Sequence, residues 1–387
     1  MEKLKKIPYG RQTITEEDIK AVVNVLKSDF ITQGPKVSAF EEAIAKYHGA
    51  KYGVAFSNGT AALHAAYAVL GIKKDDEIIT SAVTFASTAN AAIYSGARPI
   101  LVDIDLKTNC IDIDQIEGKV TNKTKVITPV SLAGYPVNLK NIKKIANRHN
   151  CFVIHDAAHA IGSKRNGSFG MEYVDMAILS FHPVKHITTG EGGMVLTNDE
   201  ELHRKLLLFK SHGITKDPSQ LSHNDGGWYY EMQSLGYNYR LPDINAALGT
   251  SQFERINENL RRRNEIAKRY DEAFCYNEDL ILAPSLGFEI LCREDAADIH
   301  SYHLYTLRLV DGEKRLKFYN YLHDVGIMAQ IHYIPLYKQP YYKQHFGYRE
   351  EDFPNAEKYY KSEISIPMFH GMKNEEQEYV IEKILAF

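Results

Sequence analysis

Between Lys51 and Leu208, short β-rich runs alternate with helical periods, and no other feature of the chain limits its fold so strongly. The runs are GVAFS, EIITSA, PILVDI, KVITPV, CFVIHDA, DMAILSF and GMVLT, with amphipathic stretches such as Thr60 to Leu70 and Asn138 to Arg148 between several of them. Strands without polar alternation are buried on both faces, which predicts a mostly parallel α/β sheet covered by helices. In such sheets a ligand sits beyond the carboxyl ends of the strands.

The flanking segments read differently. Ile14 to Ser28 is expected to be a helix opened by Thr13 or Thr15. A long helical tract is expected from Asp243 to Phe274, apolar at Ile244, Leu248, Phe253 and Ile256, with its charged run NLRRRNE forming a solvated face. Strand, helix, strand and helix are then expected over His303–Val310, Lys314–Val325, Ile327–Ile334 and Asn374–Leu385, a smaller C-terminal α+β domain. The expected division is an amino-terminal arm and helix (1–35), a large α/β domain (36–250), and a linking helix with the small domain (251–387).

Bulk properties exclude several functions. The 387 residues are 44% hydrophobic and 25% charged, with a net charge of −3. That is ordinary soluble usage, with no electrostatic case for nucleic acid or an anionic membrane. The amino-terminal residues lack a signal-peptide core, and no stretch approaches the roughly 18 apolar residues of a membrane span, so a cytoplasmic protein is expected. Cys110, Cys151, Cys275 and Cys292 have no metal-ligand spacing and are expected to be free thiols. No metal site is expected, and His182 and His186 are assigned to packing or loop hydrogen bonds.

Four strand ends carry chemistry. Val174 to Phe181 leads into SFHPVKHITTGEGG, which presents Lys185, and 29 residues upstream CFVIHDA ends at Asp156. A lysine that forms a Schiff base with pyridoxal phosphate, and a carboxylate that keeps the pyridine nitrogen protonated, need this pairing. Alone, a lysine beside a glycine-rich loop is more often a solvated surface residue. Ser57-Asn58-Gly59-Thr60-Ala61-Ala62 opens a helix where backbone N–H groups can hold a phosphate, though a plain N-cap has the same composition. Phe85, at the next strand end, is either core or a stacking partner for a flat ring. Together the four positions supply a phosphate cradle, an aromatic face, a carboxylate and an amine.

On these residues, and on ITQGPKVSAFEE, TFASTANA, HDAAHAIG, SHGI, GYNYRLPDINAALG, IHYIPLY and ISIP, the chain resembles the DegT/DnrJ/StrS family of nucleotide-sugar aminotransferases, within fold type I of the pyridoxal phosphate enzymes. The SFHPVK and HYIPLY segments are most similar to its PseC group. The resemblance implies transfer of an amino group from L-glutamate to C4 of a UDP-linked 4-keto-6-deoxy-N-acetyl hexose on the pseudaminic acid route, through pyridoxamine phosphate. It implies Lys185 and Asp156 as catalytic residues and Gly59, Thr60, Ala61, Phe85, His159 and Ser180 as further cofactor contacts. It further implies that Asn238 reaches the cofactor phosphate of a second subunit, making a homodimer with shared sites. For the sugar nucleotide it implies Tyr9, Asp29, Phe30, Ile31, Thr32, His332, Leu336, Tyr337, Lys338 and Gln339. Arg240 and Lys338 are the candidate diphosphate cations, Arg240 being equally readable as an interface ion pair. Lysine rather than histidine at position 185 favours amino transfer over sugar dehydration.

Overall fold

The computed structural model describes residues 6–284 and 298–387, so Cys292 lies outside the described residues. Strands β1 (Ile7–Pro8), β2 (Tyr52–Phe56), β3 (Glu77–Ser81), β4 (Arg98–Val102), β5 (Thr124–Thr128), β6 (Phe152–Asp156), β7 (Met176–Ser180) and β8 (Gly193–Thr197) include the main sheet. Its seven strands run β2-β8-β7-β6-β5-β3-β4. All neighbouring pairs are parallel except those made by β8, which is antiparallel to both β2 and β7. The sheet is therefore mostly parallel, and both faces are covered, as the apolar runs require.

Helices α1 (Glu16–Leu26), α2 (Pro35–His48), α3 (Gly59–Val69) and α4 (Ser87–Tyr94) precede or interleave the first strands. Thr15 caps α1 in a capping box with Asp18. Asp18 is fully buried and also accepts from Ser251, Gln252 and Arg255. This carboxylate pins the amino-terminal helix to the segment that follows the sheet.

The helical tract after residue 243 is two helices, Asp243–Phe253 and Ile256–Phe274, broken at Glu254 and Arg255. The second helix corrects one expectation. In NLRRRNE, Arg263 is fully buried and donates from Nη1 to the carbonyls of Tyr302, His303 and Met368. Asn259, Leu260, Arg263, Ile266, Ala267 and Tyr270 share the buried helical face, and helical period outranks the local density of charge.

A second core gathers Ile266, Tyr270, Phe274, Tyr305, Phe318, Ile364 and Val380 around a three-stranded antiparallel sheet of Leu280–Ile281, Tyr305–Leu309 and Glu363–Ile366. The strand expected over 327–334 is also corrected. Only Ile327–Met328 is strand, paired with β1, and the chain then makes one bridge from Gln330 to Ser365. The backbone N–H of His332 goes to the Glu363 carboxylate in place of a ladder partner. That exchange frees His332 and Tyr333 to turn toward the main sheet.

Candidate active site

A cavity of about 710 Å³ opens at the carboxyl ends of β3, β5, β6 and β7. Its walls carry Gly59, Thr60, Ala61, Phe85, Asp156, His159, Ser180 and Lys185, gathering the amine, carboxylate, aromatic and helix-start residues in one place. Tyr9 and His332 from the flanking segments line the same space.

The helix start is shaped by close packing. Asn58 caps α3, accepting from Ala61 N–H at 2.8 Å. A Cβ at position 59 would sit 3.3 Å from Ser180 Cβ, and one at position 193 only 2.7 Å from Gly59 Cα. Glycine at both positions lets the start of α3 abut the ends of β7 and β8. The amino end of α3 thereby faces the cavity beside the Ser180 side chain, an anion-binding arrangement.

Asp156 ends β6 and is buried. Its Oδ2 accepts from Thr88 Oγ1 at 2.7 Å and its Oδ1 from Ala158 N–H at 3.1 Å. Burial raises its pKa, opposed by those two hydrogen bonds and by Lys185. A cation at the ring nitrogen of a bound pyridine would favour the carboxylate still further. Thr88 is itself fixed by Thr84 Oγ1 at 2.8 Å.

Lys185 follows β7 in a turn closed by its own N–H to the His182 carbonyl. Burial lowers its pKa from 10.5 to about 7, while the charge of Asp156 opposes the shift. Buried imidazoles stand beside the amine. His303 Nε2 is 3.5 Å from Lys185 Nζ, and the His159 and His303 rings are 4.2 Å apart. His159 takes the Ala133 N–H on Nδ1 and meets the Tyr333 hydroxyl through Nε2. His186 is buried and donates from Nε2 to the Ser301 carbonyl at 3.0 Å.

The remaining sequence candidates are placed elsewhere in this chain. Asp29, Phe30, Ile31 and Thr32 form an exposed loop before α2. Leu336 and Tyr337 are buried, and Lys338 pairs with Glu350 and Glu357, each at 2.8 Å. Gln339 stands immediately before the helix Pro340–Phe346. Arg240 bonds Ser211 at 3.4 Å, while Asn238 is exposed and bridges Ser211 rather than lining its own chain's cavity. His303 and Tyr333, which line the cavity, and Thr88, buried behind it on the Asp156 carboxylate, carry no assignment from the sequence. Thr88 lay three residues beyond Phe85 in TFASTANA, and Tyr333 followed His332 in HYIPLY, so both were within reach of the motifs. His303 carried no comparable signal.

An amine held near neutrality, an opposing buried carboxylate and a helix start on the carboxyl rim of a mostly parallel sheet define a fold type I pyridoxal phosphate enzyme. The chain matches the DegT/DnrJ/EryC1/StrS aminotransferase family over residues 12–385, and it belongs to that family: it is a pyridoxal-phosphate-dependent sugar aminotransferase. It is 38% identical over 386 residues to the UDP-4-amino-4,6-dideoxy-N-acetyl-beta-L-altrosamine transaminase of Campylobacter jejuni subsp. jejuni serotype O:23/36 (strain 81-176), covering 98% of this chain and 97% of that one. Among solved structures, Helicobacter pylori PseC, an aminotransferase of pseudoaminic acid biosynthesis, superposes with a TM-score of 0.90 at 32% identity, covering 99% of both chains. Bacillus subtilis NtdA with bound cofactor PMP gives 0.84 at 28% identity, covering 96% of this chain and 82% of that one. Among the described residues, no helix is long and apolar enough to cross a membrane.

Proposed function

We propose that this aminotransferase moves the amino group of L-glutamate to C4 of a UDP-linked 4-keto-6-deoxy-N-acetyl hexosamine, on the pseudaminic acid route. The observation that carries the reading is the end-to-end likeness to the altrosamine transaminase in a chain whose Lys185 and Asp156 line one cavity. Gly59, Thr60, Ala61 and Ser180 would hold the cofactor phosphate, Phe85 and His159 its ring, and Asp156 its ring nitrogen. Bound there, pyridoxal phosphate supplies an electron sink for the carbon that gains or loses the amino group.

The chain's own part is proton transfer and exclusion of water. A lysine with a pKa of about 7 is substantially a free amine at neutral pH, so Nζ can take a proton from a carbon acid and return it. The neutral imidazoles of His159, His186 and His303 keep bulk water from that nitrogen. Tyr9 and His332 are the sugar-side residues that line the cavity from within one chain. The loop 29–32, Arg240 and Asn238 would act on the cavity of a second subunit. An exposed apolar group at Trp228, Tyr230, Met232 and Leu235 supports such a dimer, since solvated aromatics and aliphatics at this density mark association surfaces.

Incubation with glutamate and a panel of UDP-, dTDP- and GDP-4-keto-6-deoxy sugars tests the reading. The expected product is the 4-amino sugar from the UDP-N-acetyl substrate, with 2-oxoglutarate formed in equal amount. Turnover of dTDP or GDP sugars alone, or amination at C3, would overturn it.

A further inference from the structure

His159 fixes the direction of a hydrogen bond that ends at an unassigned hydroxyl. The Ala133 backbone N–H donates to His159 Nδ1 at 3.3 Å, and a backbone amide only donates. Nδ1 is therefore the lone-pair nitrogen. Burial, with the charge of Lys185 second, holds the ring neutral far below the usual imidazole range, so the single ring proton is on Nε2. Nε2–H then donates to Tyr333 Oη, 3.1 Å away. Tyr333 is the acceptor in that bond, and its own hydroxyl hydrogen is left to point elsewhere.

Among the described residues His159 is the only hydrogen-bond partner of Tyr333 Oη. Tyr333 lines the cavity that holds Lys185, with its ring 5.7 Å from that of Phe85. Burial, then Tyr9 and Asp156, raise its pKa, so it stays an O–H donor throughout the working range. A half-buried hydroxyl that is polarised on its oxygen and has an unspent hydrogen is built to meet an acceptor.

We propose that Tyr333 is a further ligand-binding residue of this enzyme, donating its hydroxyl hydrogen to an oxygen acceptor held in the Lys185 cavity. The acceptor is an oxygen of the cofactor ring or of the sugar, and the sugar arm rests on the function proposed above. Tyr333→Phe removes the hydroxyl and keeps the ring; because it also leaves His159 Nε2–H without its acceptor, a melting temperature lower by a few degrees with an unchanged fold by circular dichroism is expected.

The first arm uses pyridoxal phosphate alone, measuring its affinity for apo-protein and the pH midpoint of the bound cofactor's visible band. The second measures KM and kcat with whichever keto sugar of the panel the unmodified enzyme accepts. A loss of affinity of about tenfold, or a displaced midpoint, assigns the acceptor to the cofactor. An increase in KM of about tenfold with the first arm unchanged assigns it to the sugar. Values within twofold of the unmodified enzyme in both arms, with an unmoved midpoint, would overturn the proposal. Because the first arm needs no sugar, its result is independent of whether UDP sugars prove to be substrates.

Discussion

Lys185 Nζ lies 3.5 Å from His303 Nε2, and the nearest charged group opposing the lysine's burial is Asp156. Burial, with His303 the nearest packed group, is thus what brings the amine to about pH 7, since a nearby carboxylate alone would raise its pKa. Replacing His303 by alanine opens a water-sized space beside Nζ and relieves that desolvation. The rate at which apo-protein captures pyridoxal phosphate depends on the free amine, so its half-maximal pH reads the lysine directly. We expect a midpoint near 7 in the unmodified protein and an alkaline shift of roughly 1 unit in His303→Ala. An unchanged or acidic midpoint would show that His303 does not set the lysine.

Among the described residues ten imidazoles are held below the ordinary value of 6.5, chiefly by burial: His48, His64, His155, His159, His186, His203, His300, His303, His332 and His370. The unfolded chain binds protons at these sites from about pH 6.5 downward, whereas the folded chain resists to about 4 at His48 and about 3 at His155, His300, His332 and His370. Their contribution is therefore complete above 6.5 and lost as pH falls below it. Asp271, raised to about 6, and Glu363, raised to about 8, act with the opposite sign, because the folded state keeps their protons. With the histidines in the majority, urea midpoints of apo-protein should fall steeply between pH 6 and 4, with a net uptake of several protons on unfolding. Flat midpoints across that window would contradict the arrangement.

Among the described residues Arg263 has no carboxylate partner and stabilises by donating to three carbonyls, while its Nε and Nη2 have no hydrogen-bond partner there. Methionine at 263 keeps much of the apolar stem but leaves those carbonyls of Tyr302, His303 and Met368 without their donor. A loss of about 2–3 kcal/mol is expected, because several net hydrogen bonds of roughly 1 kcal/mol each vanish while the cost of burying a charge is also relieved. Chemical denaturation measures it. Because the same guanidinium holds the His303 backbone, Arg263→Met should also displace the pH midpoint of cofactor capture, which a purely structural loss would leave in place.

Residues whose roles depend on local chain geometry were legible from the sequence. Asp156 and Ser180 end consecutive buried strands, and Gly59 opens the helix after another, so the α/β pattern alone sends them to one rim. Arg263 was misread because NLRRRNE looks solvated when scanned linearly, and only the three-dimensional helical face reveals one inward charge. His303 and Tyr333 were missed for a different reason. His303 reaches Lys185, and Tyr333 reaches its cavity, from segments 118 and 148 residues away in sequence, through the packing of the second core against the sheet, which no local periodicity encodes.

Asn238 is exposed and outside its own chain's cavity, whereas Lys185 lines that cavity, so shared sites predict complementation between two defective proteins. Lys185→Ala should lose at least roughly 10³-fold in turnover, because the group that moves the protons is absent. Asn238→Ala should bind pyridoxal phosphate more weakly, by roughly tenfold for one lost hydrogen bond to an anion. A hybrid of the two carries one site with both defects and one site in which the intact Lys185 of one subunit meets the intact Asn238 of the other. Mixing the variants under conditions that exchange subunits should therefore restore turnover at low cofactor concentration, toward half the unmodified activity per hybrid. If each site were built from one chain, a hybrid would contain one dead site and one weak-binding site, and no activity beyond that of Asn238→Ala would emerge. Leu235→Glu, placed in the exposed apolar group, should abolish the restoration by weakening association, with sedimentation velocity reporting the shift to monomer.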